Sequence, residues 1–209
     1  MPTTDLEAEL LERGAQYIIG LDEVGAGCLA GPVVAGAVAL PLDTKCKWYA
    51  DVDDSKRLSR SSRELLFPKI TSMATAWAVA GVGPEEIDSI NIFQARCKAM
   101  MAAFMECWTQ LGSPEPVGVI VDGANLRPFL FFPRHLATFV NKADSLSLTV
   151  GAASIVAKVA RDRYMMALDA FYRGYDWKHN VGYGTPKHLA GIAAHGLTPE
   201  HRRSFKPCR

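Results

Sequence analysis

The chain has 209 residues, 49% hydrophobic and 22% charged, a balance that excludes a disordered or fibrous protein. Its 23 Lys and Arg almost cancel 22 Asp and Glu, so the formal net charge of +1 gives no global sign of a nucleic-acid partner. No stretch approaches the ~18 uninterrupted apolar residues of a membrane helix, and five scattered cysteines without a Cys-x-x-Cys pair speak against a disulfide framework or a zinc site.

Met1 to Arg13 is acidic and polar, unlike a signal or transit peptide, and the expectation is one globular domain over residues 1–209 in a reducing cytoplasm. Leu6, Leu10 and Leu11 predict a short amphipathic helix. Tyr17 to Leu21 reads as a buried strand that ends at Asp22-Glu23 and the Gly25-Ala26-Gly27 turn, and Pro32 to Leu40 as a second. A polar, turn-rich stretch from Asp43 to Ser59 leads to a helix from Ser61 to about Met73, then a strand over Thr75 to Val82. A helix starts after Pro84, and Phe93, Cys97, Met100, Met101, Phe104 and Trp108 give Ile90 to Leu111 a helical pattern. Val117 to Val121 is a short strand with Asp122 at its end; Arg127 to His135 is a loop, and Leu136 to Val140 another strand. Ala152 to about Phe171 is a long helix, Arg173 to Thr185 a Gly-containing loop, and Pro186 to Ala194 a last helix. Helices interleaved with strands predict an α/β or α+β domain.

Four carboxylates stand where structure alone gives them little reason. Asp22 and Glu23 follow Ile18-Ile19-Gly20-Leu21, Asp122 follows Val119-Ile120-Val121, and Asp144 precedes the long apolar helix. A carboxylate at the end of a core strand costs several kcal/mol to desolvate unless a cation or partner compensates it. Hard oxygen donors in a cluster call for Mg²⁺ or Mn²⁺, and two such ions can activate a water and stabilise a leaving oxygen in phosphodiester hydrolysis. Adjacent residues on a regular strand point to opposite faces, so Asp22 and Glu23 share one site only if the strand ends or bulges there. Otherwise Glu23 acts through its backbone carbonyl or through water.

The run Asp22-Glu23-Val24-Gly25-Ala26-Gly27 with Gly31-Pro32-Val33-Val34 resembles the opening signature of bacterial ribonuclease HII. The resemblance continues through Asp54-Ser55-Lys56-Arg57-Leu58, Val121-Asp122-Gly123, Lys142-Ala143-Asp144-Ser145 and the block from Ala152 to Asp162. It ends with Gly182-Tyr183-Gly184-Thr185 and His201-Arg202-Arg203-Ser204-Phe205, in the family's order. It implies a ribonuclease-H-like fold, a central mixed sheet flanked by helices with a helical C-terminal region from about residue 170. It also implies endonucleolytic cleavage of RNA paired with DNA, and cutting 5′ to single ribonucleotides embedded in duplex DNA, leaving 3′-hydroxyl and 5′-phosphate ends. Ribonucleotide excision repair and replication are the settings this implies, and a monomer the expected state.

Matched position by position, Asp22, Glu23, Asp122 and Asp144 would be the metal-binding catalytic quartet for two Mg²⁺ or Mn²⁺ ions. Gly25, Ala26 and Gly27 would read the 2′-hydroxyl, the group that separates RNA from DNA. Tyr183 would pack on the sugar beyond the junction, and Ser55 and Lys56 would contact phosphate. The family carries Arg between the two glycines where this chain has Ala26, many relatives have Lys at the place of Val181, and Ala124 is inserted before Asn125. These departures leave open a hybrid-binding protein with impaired catalysis or altered recognition. The sister ribonuclease HIII type has Lys between the glycines and an added N-terminal domain, and about 16 residues before the first strand disfavour it. By default His188 is a helix-surface residue, by analogy with the family a minor substrate contact outside the catalytic set, and Asp162 is a salt-bridge or surface residue.

Charge is unevenly spread. From Val156 to Arg209 ten Lys and Arg face four acids, a net of +6, and the remainder carries −5. A basic C-terminal third suits the tracking of phosphates, and the acidic remainder holds the proposed metal ligands.

Overall fold

Which helix covers which side of the sheet follows from the alternation of side chains along its strands. The computed structural model describes residues 2–42, 46–130 and 132–209; Asp43, Thr44 and Lys45 of the predicted turn-rich stretch, and Phe131 of the predicted loop, lie outside the described residues. Five strands, β1 (Ile18–Val24), β2 (Val33–Ala39), β3 (Ala76–Val82), β4 (Gly118–Asp122) and β5 (Leu136–Val140), form one sheet in the order β3-β2-β1-β4-β5. The β1–β2 and β2–β3 pairs are antiparallel, and β1–β4 and β4–β5 are parallel, so the sheet is mixed.

Seven helices accompany it among the described residues: α1 (Asp5–Glu12), α2 (Arg60–Met73), α3 (Pro84–Ile90), α4 (Ile92–Gln110), α5 (Leu148–Phe171), α6 (Trp177–Asn180) and α7 (Pro186–His195). None is long and apolar enough to cross a membrane. Ile19 and Leu21 of β1, with Ala35, Ala37, Val119 and Val121, pack with Met100, Ala103, Phe104 and Cys107 of α4. The other face, with Ile18, Val38 and Ile120, packs against α5, helped by Leu66 and Ile70 of α2 and Leu10 of α1. Four of the cysteines are buried, Cys46 is half-buried, and all are free thiols.

Several elements differ from the sequence expectation. The predicted helix over Ile90 to Leu111 is cut at Asn91, whose backbone is left-handed (φ 72°) and whose side-chain oxygen accepts from the N–H groups of Phe93 and Gln94 to start α4. The long helix begins at Leu148, not Ala152. Ser147 caps it by accepting from the Val150 N–H, and the fully buried Glu7 carboxylate accepts from the Thr149 N–H, the Thr149 hydroxyl and the Ser147 hydroxyl. A carboxylate at a helix N-terminus is favoured by the dipole, and this one arrives from the far end of the chain. The predicted loop after Arg173 contains the short helix α6.

Helix α5 lies on the sheet at backbone contact. A Cβ added at Gly20 would stand 2.4 Å from the Thr149 carbonyl carbon and the Val150 nitrogen, and one at Gly36 would stand 2.4 Å from the Ala153 oxygen. Neither neighbour is a flexible side-chain tip, so a methyl group must push α5 away from the sheet. Gly36→Ala should therefore cost about 3 kcal/mol, read as a lower melting temperature; an unchanged melt would show that α5 does not bear on β2 there.

Candidate active site

β1 neither ends nor bulges at the acidic pair. Its antiparallel register runs unbroken through Asp22↔Gly36, Glu23↔Ala35 and Val24↔Val34, so the strand outlasts the predicted end at Leu21. The side chains of Asp22 and Glu23 therefore leave opposite faces of the sheet. Asp22 is on the α5 side, in side-chain hydrogen-bond contact with Ser154, and Glu23 is on the α4 side, where Oε1 lies 2.5 Å from Nη2 of Arg96.

The other two carboxylates join from neighbouring segments. The parallel β1–β4 ladder ends at Leu21↔Val121, which leaves Asp22 and Asp122 as the next residues of both strands. Asp144 sits in a 3-10 turn (Ala143–Ser145) between β5 and α5. Oδ1 of Asp122 accepts from the Ala143 N–H at 2.8 Å, tying that turn to the end of β4. Asp22 and Asp144 are 7% and 4% exposed, too buried for free carboxylates in a turn.

These groups raise one another's proton affinity. Burial, then the charges of Glu23, Asp122 and Asp144, push Asp22 well above the usual carboxylate range, against the hydrogen bond with Ser154. Burial lifts Glu23 to about 7 although the charge of Arg96 pulls it down. Burial together with the charges of Asp54 and Asp122 lifts Asp144 to about 6. Burial would lower the Lys56 ammonium, but Asp22, Asp144, Asp54 and Asp122 outweigh it and raise it. The cluster thus holds more negative charge than its own cations neutralise, and one oxygen, Oε2 of Glu23, is buried with no hydrogen-bond partner. Hard, undercompensated oxygens suit a divalent cation. Among the described residues, however, no three acidic, His or Cys side chains are disposed around one ion position. Glu23 lies against Arg96, and one oxygen each of Asp22 and Asp122 is taken by a backbone N–H.

A cleft of about 170 Å³ opens on this cluster, lined by Asp22, Glu23, Gly25, Ala26, Gly27, Ser55, Lys56 and Tyr183, together with Ser154 and Lys158. All six residues expected to bind substrate are thus brought to one place beside two of the four carboxylates. Ser55 is buried, its hydroxyl 2.8 Å from that of Ser154, whereas Lys56 and Tyr183 are exposed. A larger cavity of about 480 Å³ lies elsewhere, beside Arg173 and His195.

The glycine turn rests on two guanidiniums. Arg202 donates to the carbonyls of Gly25, Ala26 and Gly31, and Arg161 to those of Ala30, Pro32 and Val181. Both are fully buried. Gly25 adopts φ 88°, and a Cβ there would stand 2.2 Å from Nε of Arg161, while a Cβ at Gly27 would meet open space.

Several expectations change here. Arg161 and Arg202 hold the fold, so the basic C-terminal third is only partly free for phosphate; seven of its ten cations stay exposed. Val181 is buried among Ala30, Met165, Tyr175 and Trp177, so its side chain does not stand where it could contact phosphate. His188 is no surface residue: it is fully buried, with Nε2 taking the Trp177 indole N–H and facing His201, and Nδ1 against the Tyr183 carbonyl. Asp162 is the salt-bridge residue of the two expectations for it, paired with Lys158 at 2.7 Å and Arg63 at 3.6 Å, and it is buried.

Sequence reasoning missed Arg96, Ser154 and Asp54. Arg96 lies 73 residues from Glu23 and no motif links them. Asp54 belongs to a recognised block, yet its hydrogen bond with Asp144 needed the fold.

The family model described as Ribonuclease HII matches residues 19–208. The chain belongs to the ribonuclease HII family. Ribonuclease HII of Halalkalibacterium halodurans is 43% identical over 201 residues, 96% of this chain and 72% of that protein. That of Geobacillus thermodenitrificans is 44% identical over 203 residues, 97% and 73%. Among solved structures, ribonuclease H2 from Pyrococcus horikoshii superposes with a TM-score of 0.74 at 26% identity, covering 93% of this chain and 96% of that one. A ribonuclease HIII (Bst) in complex with Mn²⁺ superposes at 0.76 and 20% identity, covering 100% and 72%, and shares the fold. The mixed five-stranded sheet between helices is thus the ribonuclease-H-like fold expected from the motifs, and this ribonuclease HII family member is a hydrolase.

The raised pKa of Asp144 sets the direction in which stability changes with pH. Asp144 holds its proton in the folded chain up to about pH 6, above its ordinary 3.8. Its stabilising share is complete below that ordinary value and is lost as pH rises through about 6. In chelator-treated protein, Asp144→Asn should therefore raise stability at pH 7.5 by about 1–3 kcal/mol and change it little at about pH 4, near the ordinary value. Thermal melts at the two pH values check this, and an equal shift at both would contradict it.

Proposed function

We propose that this chain is an endoribonuclease that hydrolyses RNA paired with DNA and cuts 5′ to single ribonucleotides in duplex DNA, leaving 3′-hydroxyl and 5′-phosphate ends. The observation that carries the proposal is a cluster of four carboxylates from three segments, two of the carboxylates lining a cleft. The ends of β1 and β4 and the turn before α5 bring carboxylates whose charge is undercompensated, beside a glycine turn, Lys56 and Tyr183. Family membership supports the substrate class.

Asp22, Glu23, Asp122 and Asp144 would hold two Mg²⁺ or Mn²⁺ ions. Bound there, such ions would supply a water of lowered pKa and stabilise charge on the leaving 3′-oxygen. The chain's own groups do the rest. The Lys56 ammonium, kept charged by four nearby carboxylates, neutralises a non-bridging phosphate oxygen. The Gly25–Gly27 backbone, held by Arg202 and backed by Arg161, offers peptide groups to the 2′-hydroxyl, and Gly27 has open space on its Cβ side for close approach. Tyr183, 42% exposed at the cleft, presents a ring on which a sugar can pack. The exposed cations of the C-terminal third follow the flanking phosphates. We place this monomeric enzyme in the cytoplasm, removing ribonucleotides from DNA during repair and replication.

Duplex DNA with one ribonucleotide, incubated with Mg²⁺ or Mn²⁺, should be cut 5′ to that residue; intact substrate beside an active relative would refute the proposal. Asp122→Asn keeps the oxygen that accepts from Ala143, so fold and substrate affinity should survive while cleavage falls by about 10³-fold or more. Mobility-shift and cleavage assays separate the two.

Ala26 favours a weakened recognition over a lost one, because all four carboxylates remain and the turn is rigidly held by its backbone. Ala26 is half-exposed at the cleft, so a guanidinium fits there. Ala26→Arg should lower KM for the single-ribonucleotide substrate by about three- to tenfold with kcat nearly unchanged. A change confined to kcat would show that position 26 serves the chemistry instead.

A further inference from the structure

Glu23 is turned away from the other carboxylates by the pleat of β1, and Arg96 of α4 meets it there. The pair is well shielded, with side chains 20% and 11% exposed, yet it is made by one contact, Nη2 to Oε1. The second oxygen of Glu23 and Nε of Arg96 are both buried without a hydrogen-bond partner. A guanidinium and a carboxylate normally pair through two parallel hydrogen bonds, and a single contact with a spare group on each side is weaker and easier to exchange. Glu23 nevertheless faces the cleft shared with Asp22 and Lys56 and feels the charge of Asp122.

We propose that Arg96 is a positioning residue that occupies Glu23 as an internal cation and competes with the divalent ion for it. This rests on the reading of Glu23 as a cation ligand given under Proposed function. While the ion pair is made, Glu23 is held toward α4 and one negative charge of the cluster is neutralised. A divalent ion drawing on Glu23 has to replace the guanidinium, so occupancy of that position depends on the concentration of free cation. The unpaired oxygen of Glu23 is the atom through which the exchange begins.

The test is isothermal titration calorimetry of the full chain with Mn²⁺, in the absence of nucleic acid. Arg96→Gln removes the competing charge and should tighten the apparent Kd by about tenfold. Arg96→Lys keeps the charge with a different reach and should fall between; it also serves if the Gln variant is poorly folded. The decisive control is Glu23→Gln, in whose background Arg96→Gln should no longer tighten binding. Tightening that persists there reflects the general field of the cluster and overturns the competition, as does an Arg96→Gln affinity equal to or weaker than wild type. Asp122→Asn distinguishes the underlying reading: if it binds Mn²⁺ as tightly as wild type, the ion sits elsewhere and both the metal site and the role of Arg96 fall. If it weakens binding and Arg96→Gln has no effect, only the role of Arg96 falls.

Discussion

The site depends on how closely one helix can lie on a sheet. Gly20 and Gly36 let the α5 backbone touch β1 and β2, and no residue with a side chain would permit it. At that distance Ser154, on the second turn, reaches Asp22, and its hydroxyl fixes Ser55 from a loop about a hundred residues earlier in the chain. Further along the same helix, Asp162 engages Arg63 and Lys158, and Arg161 and Met165 lie against Gly25 and Gly31. The acidic cluster, Lys56 and the glycine turn are therefore all positioned from one helix. Its start is fixed as firmly, by Ser147 and the buried carboxylate of Glu7.

Such close packing makes the electrostatics costly. Asp22 and Asp144 are buried together with Asp122 and Glu23 nearby, so part of the stability won by α5 is given back as like-charge repulsion. The compensation within the chain is incomplete and peripheral: Lys56 from one side, Arg96 from the other. Opposite in sign, Arg161 and Arg202 are buried beneath the neighbouring turn, and six of their hydrogen bonds go to backbone carbonyls. Negative and positive charge are thus stored side by side in the same protein edge. That separation is what a near-zero net charge conceals, and it suits a polyanion whose reacting phosphate must meet cations while its flanks meet peptide dipoles.

Much of this was legible in the sequence, and the reason is periodicity. Every predicted strand exists, because alternating β-branched and small apolar residues can be seen in a window of a few residues. The helix start at Leu148 was missed because its determinant, Glu7, lies 142 residues from Thr149. The break at Asn91 was missed because the apolar pattern continues across it in phase. Motifs located all four carboxylates and the glycine turn, but they gave no side-chain direction. His188 looked like a surface position since a helix read from composition does not show which of its faces is covered; here its ring meets Trp177, His201 and the Tyr183 carbonyl.

The pleat of β1 carries the last consequence. Two adjacent acids on a regular strand cannot face the same layer, and the chain leaves that rule intact instead of breaking the strand. Asp22 is therefore tuned by the α5 layer and Glu23 by the α4 layer, and the site is assembled from both sides of the sheet at the ends of its central strands. Substitutions on α4, far from any recognised motif, consequently act on the site through Glu23, while those on α5 act through Asp22 and the glycine turn. A strand that bulged would have placed both acids under one helix and left them a single set of partners. The regular strand keeps their environments separate, which is why one acid meets a serine hydroxyl and its neighbour a guanidinium.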